Sequence, residues 1–222
     1  MSKVVPIKPL LIMLYGYPGS GKSYVARQLT NHLQAAHIQG DRIRSELFSE
    51  PTYNKQENKV VTQLMDYMSE EFLNAGISVI YDTNSFRASQ RHSLRTMARK
   101  VHAQSLVIWL QIDQETAFYR TQKRDRRKLD DRYASSMDRP TFDQLCSYMQ
   151  NPDTIEDYVV VSGKHEFSTQ LNAVLKKLND LSVIRMDDLT GSGVAKPELM
   201  NLVPNPAAGR VDYNRRRNIM IR

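Results

Sequence analysis

The chain has one cysteine in 222 residues, and Cys146 alone cannot close an internal disulfide. A disulfide-stapled scaffold is thereby excluded, and the thiol fits a reducing compartment, so the cytoplasm is the expected location. No run of about 18 apolar residues occurs, so no segment reads as a membrane-spanning helix. The apolar stretch at residues 10–14 is too short for a secretory h-region with a cleavage site after it. His32, His37, His92, His102 and His165 show no metal-ligand spacing, which argues against a structural zinc site. There are no internal repeats. The guanine-reading pattern Asn-Lys-x-Asp is missing too, which argues against a GTPase switch. The chain is also short for a ring-forming motor, which would need a helical lid domain and an extended acidic strand motif.

What is present describes one globular domain. Hydrophobic residues make up 41% and charged residues 25%, an ordinary balance, and the length suffices for a real core. The formal net charge of +7 leaves two readings open: an anionic partner such as a nucleotide, nucleic acid or phosphorylated metabolite, or simple solubility.

Apolar segments alternate with amphipathic ones, the pattern of βα units on a mostly parallel sheet. Strands are expected at residues 10–15, 37–39, 77–81, 105–112 and 158–161. Helices are expected at 22–36, 41–48, 55–74, 85–101, 141–149 and 168–179, with a further one beginning at the N-cap candidate Asp113. Gly76 is placed to end the 55–74 helix. Trp109, in mid-strand, and Cys146, at helical spacing from Phe142 and Met149, are expected in the core. Arg87, Arg91, Arg95 and Arg99 recur every fourth residue. They predict a basic stripe on the exposed side of one helix, able to follow a nucleic-acid backbone or to steer any anionic substrate. Beyond about Asp187, the residues Gly191, Gly193, Pro197, Pro204 and Pro206 interrupt all periodicity. Residues 1–186 therefore read as the domain and 187–222 as a basic tail ending in Arg215 to Arg217.

The chemistry starts at Gly16-Tyr17-Pro18-Gly19-Ser20-Gly21-Lys22-Ser23, a full G-x-x-x-x-G-K-[ST] loop between a strand and a helix. Its glycines let main-chain N–H groups close around phosphate oxygens, and the helix that follows adds its positive end. Lys22 is expected at the β- and γ-phosphates and the Ser23 hydroxyl on Mg²⁺. Gly16, Pro18, Gly19, Ser20, Gly21 and Tyr24 complete the expected ATP contacts.

Three further features point toward phosphoryl transfer. Asp41, after the second strand, could accept a proton from an acceptor hydroxyl, with Arg44 one turn later on an anionic group; an N-cap aspartate beside a solvated arginine is the alternative. Asp82 ends an apolar strand and could hold Mg²⁺, with Thr83 and Asn84 behind it on the same rim; a turn aspartate is the alternative. Arg120, Lys123, Arg124, Arg126, Arg127, Lys128 and Arg132 form a segment whose like charges repel unless an anion joins them. A lid closing over phosphates is one reading, and a helix salt-bridged through Asp125, Asp130 and Asp131 is the other.

These motifs, in this order, resemble the kinase domain of phage polynucleotide 5′-hydroxyl kinase. More broadly, they look like the small AAA-33/zeta-toxin-like P-loop kinases, over roughly residues 10–177. The resemblance implies an α/β, three-layer P-loop fold with a parallel five-stranded, adenylate-kinase-like sheet and a small basic lid near residues 120–140. It implies ATP and Mg²⁺ as cofactors and transfer to a hydroxyl on an anionic acceptor, a polynucleotide 5′ end foremost. Nucleosides, sugars and a cell-wall sugar nucleotide are the other acceptors it allows. By the same resemblance Asp41 is the general base, Arg44 holds the acceptor's phosphate, Arg124 is the lid arginine, and Arg120 lies near the nucleotide. Asp82, Thr83, Asn84 and Arg87 are expected among the substrate contacts. No phosphatase domain follows, so repair of both strand ends is not implied. An ATP-binding regulator without an acceptor is the reading from outside the kinases.

Overall fold

The computed structural model describes residues 3–84, 87–125, 127, 131–134 and 136–185. The tail at 187–222 and, within the basic segment, Arg126, Lys128 and Asp130 lie outside the described residues.

Five strands make the sheet: β1 (Leu10–Tyr15), β2 (Ala35–Gln39), β3 (Ser78–Asp82), β4 (Gln104–Gln111) and β5 (Tyr158–Ser162). They lie in the order β2-β3-β1-β4-β5, and every pairing is parallel. β1 is central and all six of its side chains are buried, which is why it reads as one continuous apolar run rather than an alternation. Its residues still divide by face. Leu10, Ile12 and Leu14 join a core with Val25, Ala26 and Leu29 of α1 (Lys22–His32) and Leu171, Val174 and Leu178 of α7 (Phe167–Asp180). Leu11, Met13 and Tyr15 join the opposite core, with Val61 and Met65 of α3 (Lys55–Asn74) and Leu94 and Ala98 of α4 (Ala88–Lys100). Two helical layers thus cover one parallel sheet, the three-layer P-loop arrangement the motifs implied.

Three shorter helices, α2 (Gly40–Leu47), α5 (Gln114–Gln122) and α6 (Arg139–Ser147), ring the carboxyl edge of the strands, where α/β sheets bind ligands. Their starts follow cap chemistry. Asp113 and Asp138 accept main-chain N–H bonds from Thr116 and Thr141, at 2.8 and 3.1 Å.

Several boundaries differ from the sequence expectations. The first helix stops at His32 rather than running to residue 36, because Ala35 and Ala36 pair with Ser78 and Val79 of β3. Sheet pairing overrides the helix propensity of the two alanines. α4 begins at Ala88, and Ser85 lies outside the described residues. α6 runs two residues earlier than expected, since Asp138 caps it and Pro140 suits its first turn. Trp109 and Cys146 are only half-buried rather than core.

The predicted basic stripe is the larger correction. Arg91 has no exposed surface and Arg95 is 5% exposed, so the helix buries the middle of its arginine row. Arg91 donates through Nε and Nη2 to both carboxylate oxygens of Glu156, at 2.8 and 2.9 Å, and its guanidinium lies 5.0 Å from the Tyr15 ring centroid. Arg95 donates to the Ile155 carbonyl at 2.7 Å. Only Arg87 and Arg99 of the four are exposed, so no continuous track for a phosphodiester backbone exists there. A buried carboxylate 65 residues away in sequence cannot be read from four-residue periodicity.

Candidate active site

The loop at residues 16–23 leaves the buried end of β1 and enters α1 at Lys22. Gly19 adopts φ +82°, and a Cβ there would sit 2.2 Å from the Ala117 carbonyl of α5, so only glycine fits. The loop is therefore packed closely against α5. Gly163, after β5, makes a second close approach: a Cβ there would lie 2.8 Å from the Ser20 carbonyl.

Lys22 is 8% exposed, and its Nζ donates to the carbonyls of Gly16 and Tyr17, both at 2.8 Å. Burial lowers its pKa to about 8, with Asp82 opposing and the Arg124 charge adding to the shift. An ammonium held inside its own loop is poised for an anion that replaces those carbonyls. The Ser20 hydroxyl is buried with no hydrogen-bond partner, a polar atom of the kind a phosphate oxygen would satisfy.

Ser23 lies one residue further into α1, and its hydroxyl donates to Asp82 Oδ1 at 3.2 Å. Asp82 ends β3, is 4% exposed, and has its other oxygen, Oδ2, 3.0 Å from Nε2 of His37 on β2. Asp82 is thus a buried, strand-ending carboxylate that meets the Ser23 hydroxyl at the end of the loop. Two hard oxygen donors side by side fit Mg²⁺, which takes few protein ligands and completes its shell with water and phosphate. Among the described residues, no group of three His, Cys, Asp or Glu side chains forms a fuller metal cage.

Asp41 is in the first turn of α2, not at its cap; Gln39 is the N-cap, and no side chain caps the helix. The capping alternative fails with it. Asp41 is open to the water of the cleft but set among dense protein, and this burial together with the Asp82 carboxylate raises its pKa above the ordinary value. Arg124, Arg44 and Lys22 pull in the other direction. Arg124, half-buried just beyond α5, has its pKa lowered by burial while Asp41 and Asp131 oppose the shift. Lys22 and Asp41 thus each interact electrostatically with Asp82 and Arg124 around one opening.

That opening is a cleft of about 1350 Å³. The loop residues from Pro18 to Ser23 form its floor, and Tyr24, Asp41, Arg44, Asp82, Thr83, Asn84, Arg87, Arg120 and Arg124 all line it. Gly16 lies behind the floor, against the Leu110 carbonyl. Arg120 crosses from α5 to the loop after β5 and donates to the Gly163 carbonyl at 3.0 Å. Tyr24 sets its ring edge-on to Phe167, with centroids 6.4 Å apart, at the same end.

Arg44 departs from the solvated role. It is 7% exposed and donates to Glu57 at 3.0 Å and to Asn58 at 2.6 Å, with its guanidinium 4.5 Å from the Tyr53 ring centroid. Its Nε is buried with no hydrogen-bond partner. Glu57 was not singled out from the sequence, yet it organises this wall. It accepts from the Thr52 hydroxyl and main-chain N–H and from the Tyr53 N–H, and the Thr52 hydroxyl leads in lowering its pKa to about 2. These bonds hold Tyr53 at φ +56°, an unusual conformation for a bulky residue. The available signal was Asn54 three residues before Glu57, a capping pattern at the helix start, realised as a 2.9 Å bond from the Glu57 N–H to Asn54. Opposite, Arg87 stacks 4.8 Å from the Tyr148 ring centroid, and Gln90 and Gln144 extend that rim.

The loop after β5 has its own brace. Gln170 of α7, 4% exposed, donates from Nε2 to the carbonyls of Ser162 and His165 at 2.7 and 3.2 Å. Sequence reading gave no reason to select it.

Known proteins share the fold that carries this cleft. A family model described as an AAA domain, AAA_33, matches residues 11–152, more than half of the chain. No curated protein matches it. Among solved structures, a gluconokinase from Sinorhizobium meliloti is similar at TM-score 0.54 and 17% identity, over 79% of this chain and 93% of that one. Kti12 from Chaetomium thermophilum, in complex with ADP-AlF3, is similar at TM-score 0.59 and 16% identity, over 80% and 100%. The APS kinase CysC of Mycobacterium tuberculosis, in complex with AMPPNP and APS, is similar at TM-score 0.55 and 17% identity, over 78% and 98%. At these identities the likeness is one of fold. With its five-stranded parallel sheet, its phosphate loop and this family match, the chain belongs to the AAA_33 family and has a P-loop kinase fold.

Proposed function

We propose that the protein is a phosphotransferase that binds ATP on residues 16–23 and passes its γ-phosphoryl group to a hydroxyl presented beside Asp41. The observation that carries this reading is the meeting of Lys22, Asp82, Asp41 and Arg124 around one cleft, a cation and metal-ligand side facing an acidic group. The gluconokinase and APS kinase among the similar folds support a kinase in general and leave the acceptor open.

In the reaction, Asp41 takes the proton as the acceptor oxygen bonds to the γ-phosphorus, and the bond from that phosphorus to the β,γ-bridging oxygen breaks. Lys22 moves from the Gly16 and Tyr17 carbonyls to the β- and γ-oxygens, and Arg124 closes on the transferring group. Ser23 and Asp82 would hold Mg²⁺. The ion, when bound, supplies positive charge to the phosphate oxygens. Arg120, Tyr24 and the loop after β5 flank the nucleoside end.

The acceptor we favour is a polynucleotide 5′-hydroxyl. Tyr53 and Tyr148, each stacked with an arginine on the cleft wall, offer aromatic faces on which bases stack. A neutral alcohol such as a nucleoside or sugar is the second reading, favoured by the Glu57 and Asn58 partners that already occupy Arg44. Transfer from γ-labelled ATP to a panel of 5′-hydroxyl oligonucleotides, nucleosides and sugars separates them. Label on the oligonucleotides alone supports the first, and label on small alcohols alone supports the second. ATP hydrolysis unchanged by every alcohol would overturn both in favour of an NTPase.

A further inference from the structure

Asp82 is held from two sides by different elements. Ser23 of α1 reaches Oδ1, while His37 of β2 reaches Oδ2. The second contact follows from the sheet. In parallel register His37 sits opposite Ile80 and Gln39 opposite Asp82, so His37 lies one diagonal step from Asp82 on the same face. A carboxylate can only accept, so the imidazole Nε2 must be the donor in this bond. The Asp82 side chain is 3% exposed and that of His37 20%, so water does not readily replace the imidazole.

A carboxylate can rotate and exchange its oxygens. A donor fixed on Oδ2 removes that freedom and leaves Oδ1 facing the Ser23 hydroxyl. We propose that His37 is a positioning residue for the metal site: it sets the Asp82 carboxylate so that Ser23 and Asp82 present a preformed pair of oxygens to Mg²⁺. The proposal rests on the reading of Ser23 and Asp82 as the metal side of the cleft. One strand, β2, then serves both halves of the site, orienting the metal ligand through His37 and leading two residues beyond its end to Asp41.

The test uses a fluorescent ATP analogue, with binding followed in EDTA and across a Mg²⁺ titration. His37→Leu removes the donor, and His37→Gln keeps an N–H at similar reach. The expected result is a Mg²⁺ half-point raised about ten- to a hundredfold in His37→Leu, unchanged affinity in EDTA, and a near-parental half-point in His37→Gln. A parental half-point in His37→Leu would overturn the proposal. So would an equal loss of EDTA affinity in both variants, because that marks a packing residue. A parent protein whose binding ignores Mg²⁺ would overturn the metal reading itself, and that outcome is visible before any variant is made.

Discussion

Arg44 and Glu57 form an ion pair at 3.0 Å beside the cleft, with both side chains 8% exposed. The pair joins α2, which carries Asp41, to the start of α3, and through Thr52 and Tyr53 it shapes the segment between them. If the proposed acceptor hydroxyl sits beside Asp41, its placement depends on a carboxylate outside the Lys22, Asp41, Asp82 and Arg124 group.

Glu57→Gln is therefore expected to raise the KM for the acceptor while leaving nucleotide affinity near parental, as steady-state kinetics with each substrate varied in turn would measure. The pH behaviour has a definite sign. The folded-state pKa of Glu57 is depressed to about 2 from 4.5, so its contribution to stability is present above 4.5 and is lost as pH falls toward 2. Denaturant midpoints measured from pH 5 to 2 should fall less steeply in Glu57→Gln than in the parent.

Lys22 behaves in the opposite sense. Burial lowers its pKa to about 8 from 10.5, so Lys22 carries its full positive charge only below that value. Bound phosphate favours the ammonium, and nucleotide affinity in EDTA should fall as pH rises above 8. Lys22→Ala is expected to bind at least tenfold more weakly with no such slope, in fluorescence titrations between pH 6.5 and 9.5.

In the proposed reaction Arg124 acts on the transferring group rather than on the resting nucleotide. Arg124→Ala should lower kcat on the order of a thousandfold, with nucleotide affinity changed little, a contrast that single-turnover transfer and equilibrium binding would expose together.

Asp41→Asn should keep ATP binding and lose transfer. Because burial and Asp82 raise the pKa of Asp41, the acid limb of the parental kcat profile should lie above the ordinary carboxylate range, with activity falling as pH drops through it. Equal loss of binding and transfer in Asp41→Asn would make it a metal or structural residue instead.

Much of this site was legible because it is local. The residues from Gly16 to Ser23 carry their own geometry, and β1 before them is apolar enough to be read as buried. Asp41 and Asp82 could be selected because each follows or ends a strand at the edge where such sheets bind ligands. What could not be read was pairing across the chain. Arg91 looked like a member of an exposed row until Glu156 appeared opposite it, and Arg44 looked free until Glu57 did. His37, mid-strand and without metal-ligand spacing, acquires a role only through the register that sets β2 beside β3. Helix ends were misread where sheet pairing outweighed propensity, as at Ala35 and Ala36.

In the proposed reaction ATP with Mg²⁺ occupies the loop around Lys22, facing Asp41. Isothermal titration of Mg–ATP into the full chain would measure that occupancy. One binding event per chain, weakened at least tenfold in Lys22→Ala and retained in Asp41→Asn, is the expected result. Absence of heat from the parent, or binding that Lys22→Ala leaves intact, would contradict it.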